Sequence, residues 1–104
     1  MTERTAMLVK LKPEGVDAYL EYHRNVWSEL EAVYHAAGIT DISCYVSGTA
    51  LVVTIEVDPT IHDEAKATLA ENEVERAWQA EMLKLRDPSF AQVTLEEVYR
   101  LPQA

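Results

Sequence analysis

Tyr19, His23 and Trp27 stand at four-residue intervals within residues 19–29. Residues four apart on a helix lie above one another on one face. A helical segment here would therefore carry a stripe of a phenol, an imidazole and an indole. Each ring has an apolar body and a polar atom that needs a partner when buried. Histidine is the side chain best suited to give and take a proton near neutral pH. A neighbouring tyrosine can hold a ligand hydroxyl or supply a second proton, and an indole packs against the C–H face of a sugar ring. With Trp78 these residues suit a pocket for a polar, ring-shaped ligand. A plain core helix has the same spacing, with Tyr19 and Trp27 as core aromatics and His23 as a buried, hydrogen-bonded histidine. Spacing alone leaves both readings open. Glu29 either orients His23 or sits on the solvated face of the helix.

Other chemistries find little support. His23, His35 and His62 are scattered, with no His or Cys pair at metal-ligand spacing, so no metal site is expected. His35 and His62 read as surface residues near helix ends. Cys44 is the only cysteine, which excludes an internal disulfide; in a strand beside Ile42 it reads as a small buried hydrophobe. Gly15, Gly38 and Gly48 are isolated and form no phosphate loop. Eighteen acidic against nine basic residues give a net charge of −9, which opposes binding to nucleic acid or an anionic membrane surface. A neutral or cationic small ligand, or another protein, is the expected partner. The segment Met1-Thr2-Glu3-Arg4-Thr5 lacks the pattern of a signal peptide, and a lone thiol fits a reducing compartment; a cytoplasmic location is expected.

The 104 residues, 48% of them hydrophobic, fit one folded domain spanning 1–104. Alternation predicts a strand over 5–11, which Pro13 ends. Apolar residues at Val16, Leu20, Val26, Leu30, Val33 and Ala37 then follow a helical period up to Gly38, with a break expected near Arg24-Asn25. A hairpin over 39–57 turns at Ser47-Gly48-Thr49, and its second strand is expected at the centre of the sheet. Asp58-Pro59-Thr60 opens a helical stretch that Glu71-Asn72-Glu73 interrupts. Val74, Trp78, Met82 and Leu85 form the next stripe. A last strand is expected over 93–101, with Glu97 facing a polar site or the solvent. Strand, helix, strand, strand, helix, strand is the split βαβ order of an α+β, ferredoxin-like βαββαβ fold. Its four-stranded antiparallel sheet would have helices on one face, and a second copy of the chain is the simplest cover for the other.

The run Tyr19, His23, Trp27, Glu29-Leu30-Glu31-Ala32-Val33 resembles the first helix of the L-rhamnose mutarotase family. Support extends over most of the chain: Arg4 and Ala6, Gly38, Tyr45, Glu56, Arg76 with Trp78, Asp87-Pro88, and the terminal Leu95-Glu96-Glu97-Val98-Tyr99-Arg100-Leu101-Pro102. The resemblance implies a dimeric α/β barrel that interconverts the α and β anomers of L-rhamnose, or of a related sugar, without a cofactor. By position, His23 matches the family's proton-donating histidine, Tyr19 a sugar-binding tyrosine and Trp78 the second of two sugar-binding tryptophans. Ala77 stands in place of the first tryptophan, and Ile42 in place of a second sugar-contacting tyrosine. Ser28 and Asn25 replace prolines, and residues 58–74 match poorly. The expected catalytic pair is thus His23 and Tyr19, and the expected substrate wall is Tyr19, Trp27, Trp78, Ile42 and Ala77.

Mutarotation opens a hemiacetal and closes it on the other face of the carbonyl. His23 is expected to protonate the ring oxygen, while Tyr19 or a water handles the anomeric hydroxyl. Two other classes share these features. One is a different cofactor-free enzyme on the same barrel, such as a monooxygenase or an isomerase. The other is a sugar-binding domain without catalysis.

Overall fold

The unbroken apolar run from Ala6 to Val9 and β-branched residues from Val52 to Ile55 drive the two central strands. The computed structural model describes residues 2–103. Strands β1 (Glu3–Lys10), β2 (Ile39–Ser47), β3 (Ala50–Val57) and β4 (Val93–Leu95) form an antiparallel sheet in the order β2-β3-β1-β4. The helices are α1 (Val16–Arg24), α2 (Ser28–Ala36), α3 (Pro59–Glu71) and α4 (Glu73–Leu85), with a 3-10 turn at Pro13–Gly15 before α1. This is the ferredoxin-like α+β arrangement expected from the order of elements.

The breaks have local causes. Asn25 adopts φ −138° and ψ 59°, and Trp27 is extended at φ −60° and ψ 124°, so α1 stops and α2 starts afresh. Past α2, Gly38 takes φ +81°, a left-handed conformation that suits glycine. At the next junction Asn72 ends α3 and caps α4, its side chain accepting from the backbone N–H of Val74 and Glu75 at 2.9 and 3.1 Å. Asp58 caps α3 through the Thr60 N–H at 3.0 Å.

Val9 and Leu51 from the sheet pack with Tyr19, Leu30, Trp78 and Met82 from the helices, together with Leu11, to form the core. The helical period of Trp78 and Met82 on α4 is what turns both inward. Two hydroxyls tie α4 to its neighbours: Tyr34 on α2 donates to Glu75 at 2.8 Å and Tyr22 on α1 to Glu81 at 3.2 Å.

Two boundaries differ from the sequence reading. The first strand starts earlier, at Glu3, and ends at Lys10. The last strand, expected over 93–101, spans only Val93–Leu95, because it pairs with β1 along Ala6, Met7 and Leu8 alone. Residues 96–103 are exposed, Val98, Tyr99 and Leu101 among them. Glu97 in this tail accepts from the Arg4 guanidinium at 2.6 Å. Among the described residues no helix is long and apolar enough to cross a membrane.

Candidate active site

A half-open cleft of about 690 Å³ lies between the helices and the sheet, within the size range of small-ligand sites. From α1 it takes Tyr19 and His23, from α4 Trp78, Met82 and Arg86, which directly follows that helix, and from the sheet Met7, Ile42, Cys44, Val53 and Ile55. The pairing of Cys44 with Val53 and of Ile42 with Ile55 puts these four on the helix-facing side of the sheet. Glu31, His35, Thr40 and Asp41 line it near the start of β2.

The helical spacing of Tyr19 and His23 does what the sequence suggested. Their rings stack with centroids 4.1 Å apart and planes at 25°. His23 Nδ1 lies 2.8 Å from the Tyr19 carbonyl oxygen. A carbonyl only accepts, so Nδ1 carries hydrogen and donates. That bond orients the ring and leaves Nε2 as the nitrogen that can take or give a proton. Burial, followed by the neighbouring Cys44 thiol, pushes the Tyr19 phenol well above its ordinary value of 10.0, so it stays protonated across the working range.

Trp78 is the hub of the wall. It meets His23 edge-on at 5.4 Å, Tyr22 at 5.7 Å and Trp27 at 5.0 Å. Such aromatic pairs hold ring orientation and add about 0.5–1.5 kcal/mol each beyond their buried area.

The structure corrects four expectations. Trp27 is not part of a continuous stripe with Tyr19 and His23: the helix breaks before it, and its indole packs behind Trp78, outside the cleft lining. Ala77 is exposed on α4 and does not line the cleft, since it precedes the inward-facing Trp78 by one residue, about 100° around the helix. Cys44 is exposed to the cleft rather than buried in the core. His62 is half-buried and donates from Nδ1 to the Ala37 carbonyl at 2.9 Å. Ile42 does line the cleft, and Glu29 is exposed, outside the lining.

Sequence reasoning missed Arg86. It follows the last residue of α4 and lines the cleft, yet its buried Nε has no hydrogen-bond partner among the described residues. Leaving a buried charged donor unpaired costs roughly 1–3 kcal/mol or more. No periodic signal marks an arginine just past a helix end as inward-facing. Among the described residues, no group of three or more His, Cys, Asp or Glu side chains is placed to hold a metal ion.

Fold and cleft together define a ferredoxin-like α+β domain with an aromatic-walled cleft that His23 lines. Solved structures share the architecture. The crystal structure of L-rhamnose mutarotase from Formosa agariphila matches with a TM-score of 0.75 at 26% identity, covering 96% of this chain and 99% of that one. A putative antibiotic biosynthesis monooxygenase from Nitrosomonas europaea matches with a TM-score of 0.63 at 15% identity, a likeness of fold alone. A sequence profile described as L-rhamnose mutarotase matches residues 4–101. The L-rhamnose mutarotase of Agrobacterium fabrum (strain C58) is 30% identical over 105 residues, 96% of each chain, and that of Escherichia coli O127:H6 is 28% identical over 95% of this chain and 98% of its own. The chain belongs to the L-rhamnose mutarotase family, whose members are isomerases.

Proposed function

We propose that this chain is an aldose mutarotase interconverting the α and β anomers of L-rhamnose or a related monosaccharide, with His23 as its acid and base. The observation that carries the reading is the His23 ring, fixed through Nδ1 to the Tyr19 carbonyl with Nε2 left for the ligand, in a cleft walled by Trp78.

In this scheme imidazolium His23 gives its Nε2 proton to the ring oxygen as the C1–O5 bond breaks. The anomeric hydroxyl loses its proton to water and C1 becomes a carbonyl. After rotation about C1–C2, the O5 hydroxyl attacks the other face of C1, neutral His23 takes its proton back, and water returns one to the new hydroxyl. Tyr19 is a donor throughout, because its phenol is held protonated; it binds a sugar oxygen. A positioned proton transfer of this kind contributes roughly 10²–10⁴-fold. No redox change or group transfer occurs, so the scheme uses no cofactor.

The working unit in this proposal is a homodimer. Ala6, Leu8 and Val52 pair on the sheet face away from the helices with Leu95, Val93 and Tyr45. Tyr45, Val93 and Leu95 are exposed there, as are Val98, Tyr99 and Leu101 of the tail. A second copy set face to face would bury this surface. A cytoplasmic location accords with the lone thiol.

The test is saturation-transfer NMR on the anomeric protons of L-rhamnose and L-fucose with purified protein. Faster exchange than in buffer is expected. Binding without acceleration would make the chain a sugar-binding domain, and neither would sink the reading.

A further inference from the structure

We infer that Ile42, with Ile55 beside it, forms the subsite for the C6 methyl of a 6-deoxyaldose and disfavours a hydroxyl there; the inference rests on the mutarotase reading and names the residue that sets its specificity. The two sides of the cleft differ in chemistry. Its sheet side, made of Met7, Ile42, Cys44, Val53 and Ile55, carries no hydroxyl, amide or charged side chain. The polar side chains Glu31, His35, Thr40 and Asp41 are exposed to solvent.

The register brings Ile42 to the level of His23. Strands β1 and β2 both pair antiparallel with β3, so they run the same way. After the turn at Pro13–Gly15, α1 runs back over the sheet against that direction. The Tyr19 phenol lies against the Cys44 thiol. From Tyr19 to His23 the helix advances about 6 Å, and from Cys44 back to Ile42 the strand covers about 6.6 Å. One turn of α1 thus matches one same-face step of β2, and His23 comes level with Ile42 and its cross-strand neighbour Ile55. Ile42 is 37% exposed, so a ligand in the cleft can touch it.

In the scheme above His23 protonates O5, whose ring neighbours C1 and C5 lie on either side of it. C1 carries the hydroxyl that gives its proton to water, so C1 faces the open side of the cleft. C5 then faces the sheet, and its exocyclic C6 meets Ile42 and Ile55. A methyl there buries apolar surface. A hydroxyl there gives up water and finds no partner among these side chains. C6 takes no part in the bond changes, so the contact acts mainly through KM.

The test compares kcat/KM for anomeric exchange, by saturation-transfer NMR, with L-rhamnose and with L-mannose, which differ only by the hydroxyl on C6. An apolar pocket rejects an added hydroxyl by up to about 10²-fold, and the wild-type protein is expected to favour L-rhamnose by at least about tenfold. Ile42→Thr keeps the β-branch and places a hydroxyl beside C6; it should cut that preference at least about threefold, whereas Ile42→Val should keep it. Ile55→Thr, on the neighbouring strand, should act in the same direction, and it replaces Ile42→Thr in the comparison if thermal melting shows that variant unfolded at the assay temperature. L-Mannose exchanged as efficiently as L-rhamnose, or a preference unchanged in the folded threonine variant, would overturn the inference and leave the mutarotase reading standing. Acceleration of no aldose would overturn both.

Discussion

His23 donates to the main-chain carbonyl of Tyr19 at 2.8 Å while its ring stacks on the Tyr19 phenol. One residue thus orients the histidine twice, through backbone and through ring, and its hydroxyl remains for the ligand. Tyr19→Phe keeps both contacts and removes only that hydroxyl. We expect anomeric exchange to slow by on the order of 10²-fold, as for loss of one positioned donor, with the melting temperature nearly unchanged at neutral pH. Saturation-transfer rates and thermal melts check this. At high pH the sign reverses in the variant's favour. The folded wild-type phenol holds its proton above the ordinary value of 10.0, so stability is full below about pH 10 and falls above it as the unfolded chain releases the proton. Tyr19→Phe should weaken that alkaline loss.

Trp78 joins the core to the cleft, meeting His23, Tyr22 and Trp27 edge-on. Trp78→Ala should cost about 3–5 kcal/mol of stability, the usual cost of truncating a large buried aromatic. Trp78→Phe should cost less and keep the wall. Denaturant unfolding gives the stability, and the exchange rate of the Phe variant shows whether the wall still orients the sugar.

Much of the fold is legible in the sequence because it rests on local rules. Asn25 and Gly38 punctuate the helices, and Asn72 both stops α3 and caps α4. The four-residue interval from Tyr19 to His23 and from Trp78 to Met82 sets two inward faces. What escapes such a reading depends on partners distant in sequence. Residues 96–101 alternate like a strand, but backbone pairing with β1 stops at Leu95 opposite Ala6, and beyond it the tail meets β1 through the Arg4–Glu97 side-chain contact. Trp27 keeps the four-residue interval yet loses the stripe, because the backbone turns between them. Ala77 is placed in the wall only by analogy with a tryptophan pair, and its position on the exposed side of α4 shows that two adjacent helical residues do not share one wall. Cys44 shares a face with Val53, but whether that face is packed or open depends on the cleft above it.

Gly38 lies where α2 turns into β2. At φ +81°, an added Cβ would come within 2.8 Å of Ile61 Cβ and 2.9 Å of the His62 backbone nitrogen. Gly38→Ala should therefore destabilise by roughly 1–3 kcal/mol through backbone strain and contact with the first turn of α3. Asn72→Ala, which removes the α4 cap, should cost about 1 kcal/mol. Gly38 meets the start of α3 and Asn72 follows its last residue, so the length of that helix separates the two sites. The double variant should therefore show additive losses in urea unfolding.

Acid should destabilise the chain through two carboxylates held by local hydrogen bonds, the α3 cap Asp58 and the turn residue Asp87. The Thr60 hydroxyl and N–H hold the Asp58 carboxyl below its ordinary value of 3.8, and the Ser89 hydroxyl and N–H do the same for Asp87. A depressed folded value means the contribution is present above about pH 4 and lost as pH falls through the folded value. Thermal melts from pH 6 to pH 2 should show this decline. Asp58→Asn, which can still cap but does not titrate, should show a shallower one.

The central claim is that the imidazole of His23 moves the proton during ring opening, and the direct measurement is the anomeric exchange rate of a preferred aldose with wild-type protein and with His23→Gln. The glutamine amide can still donate to the Tyr19 carbonyl but cannot cycle a proton. We predict that the variant stays folded by circular dichroism while its enzyme-dependent exchange falls by about 10²–10⁴-fold. A folded His23→Gln protein exchanging anomers at the wild-type rate would contradict the account.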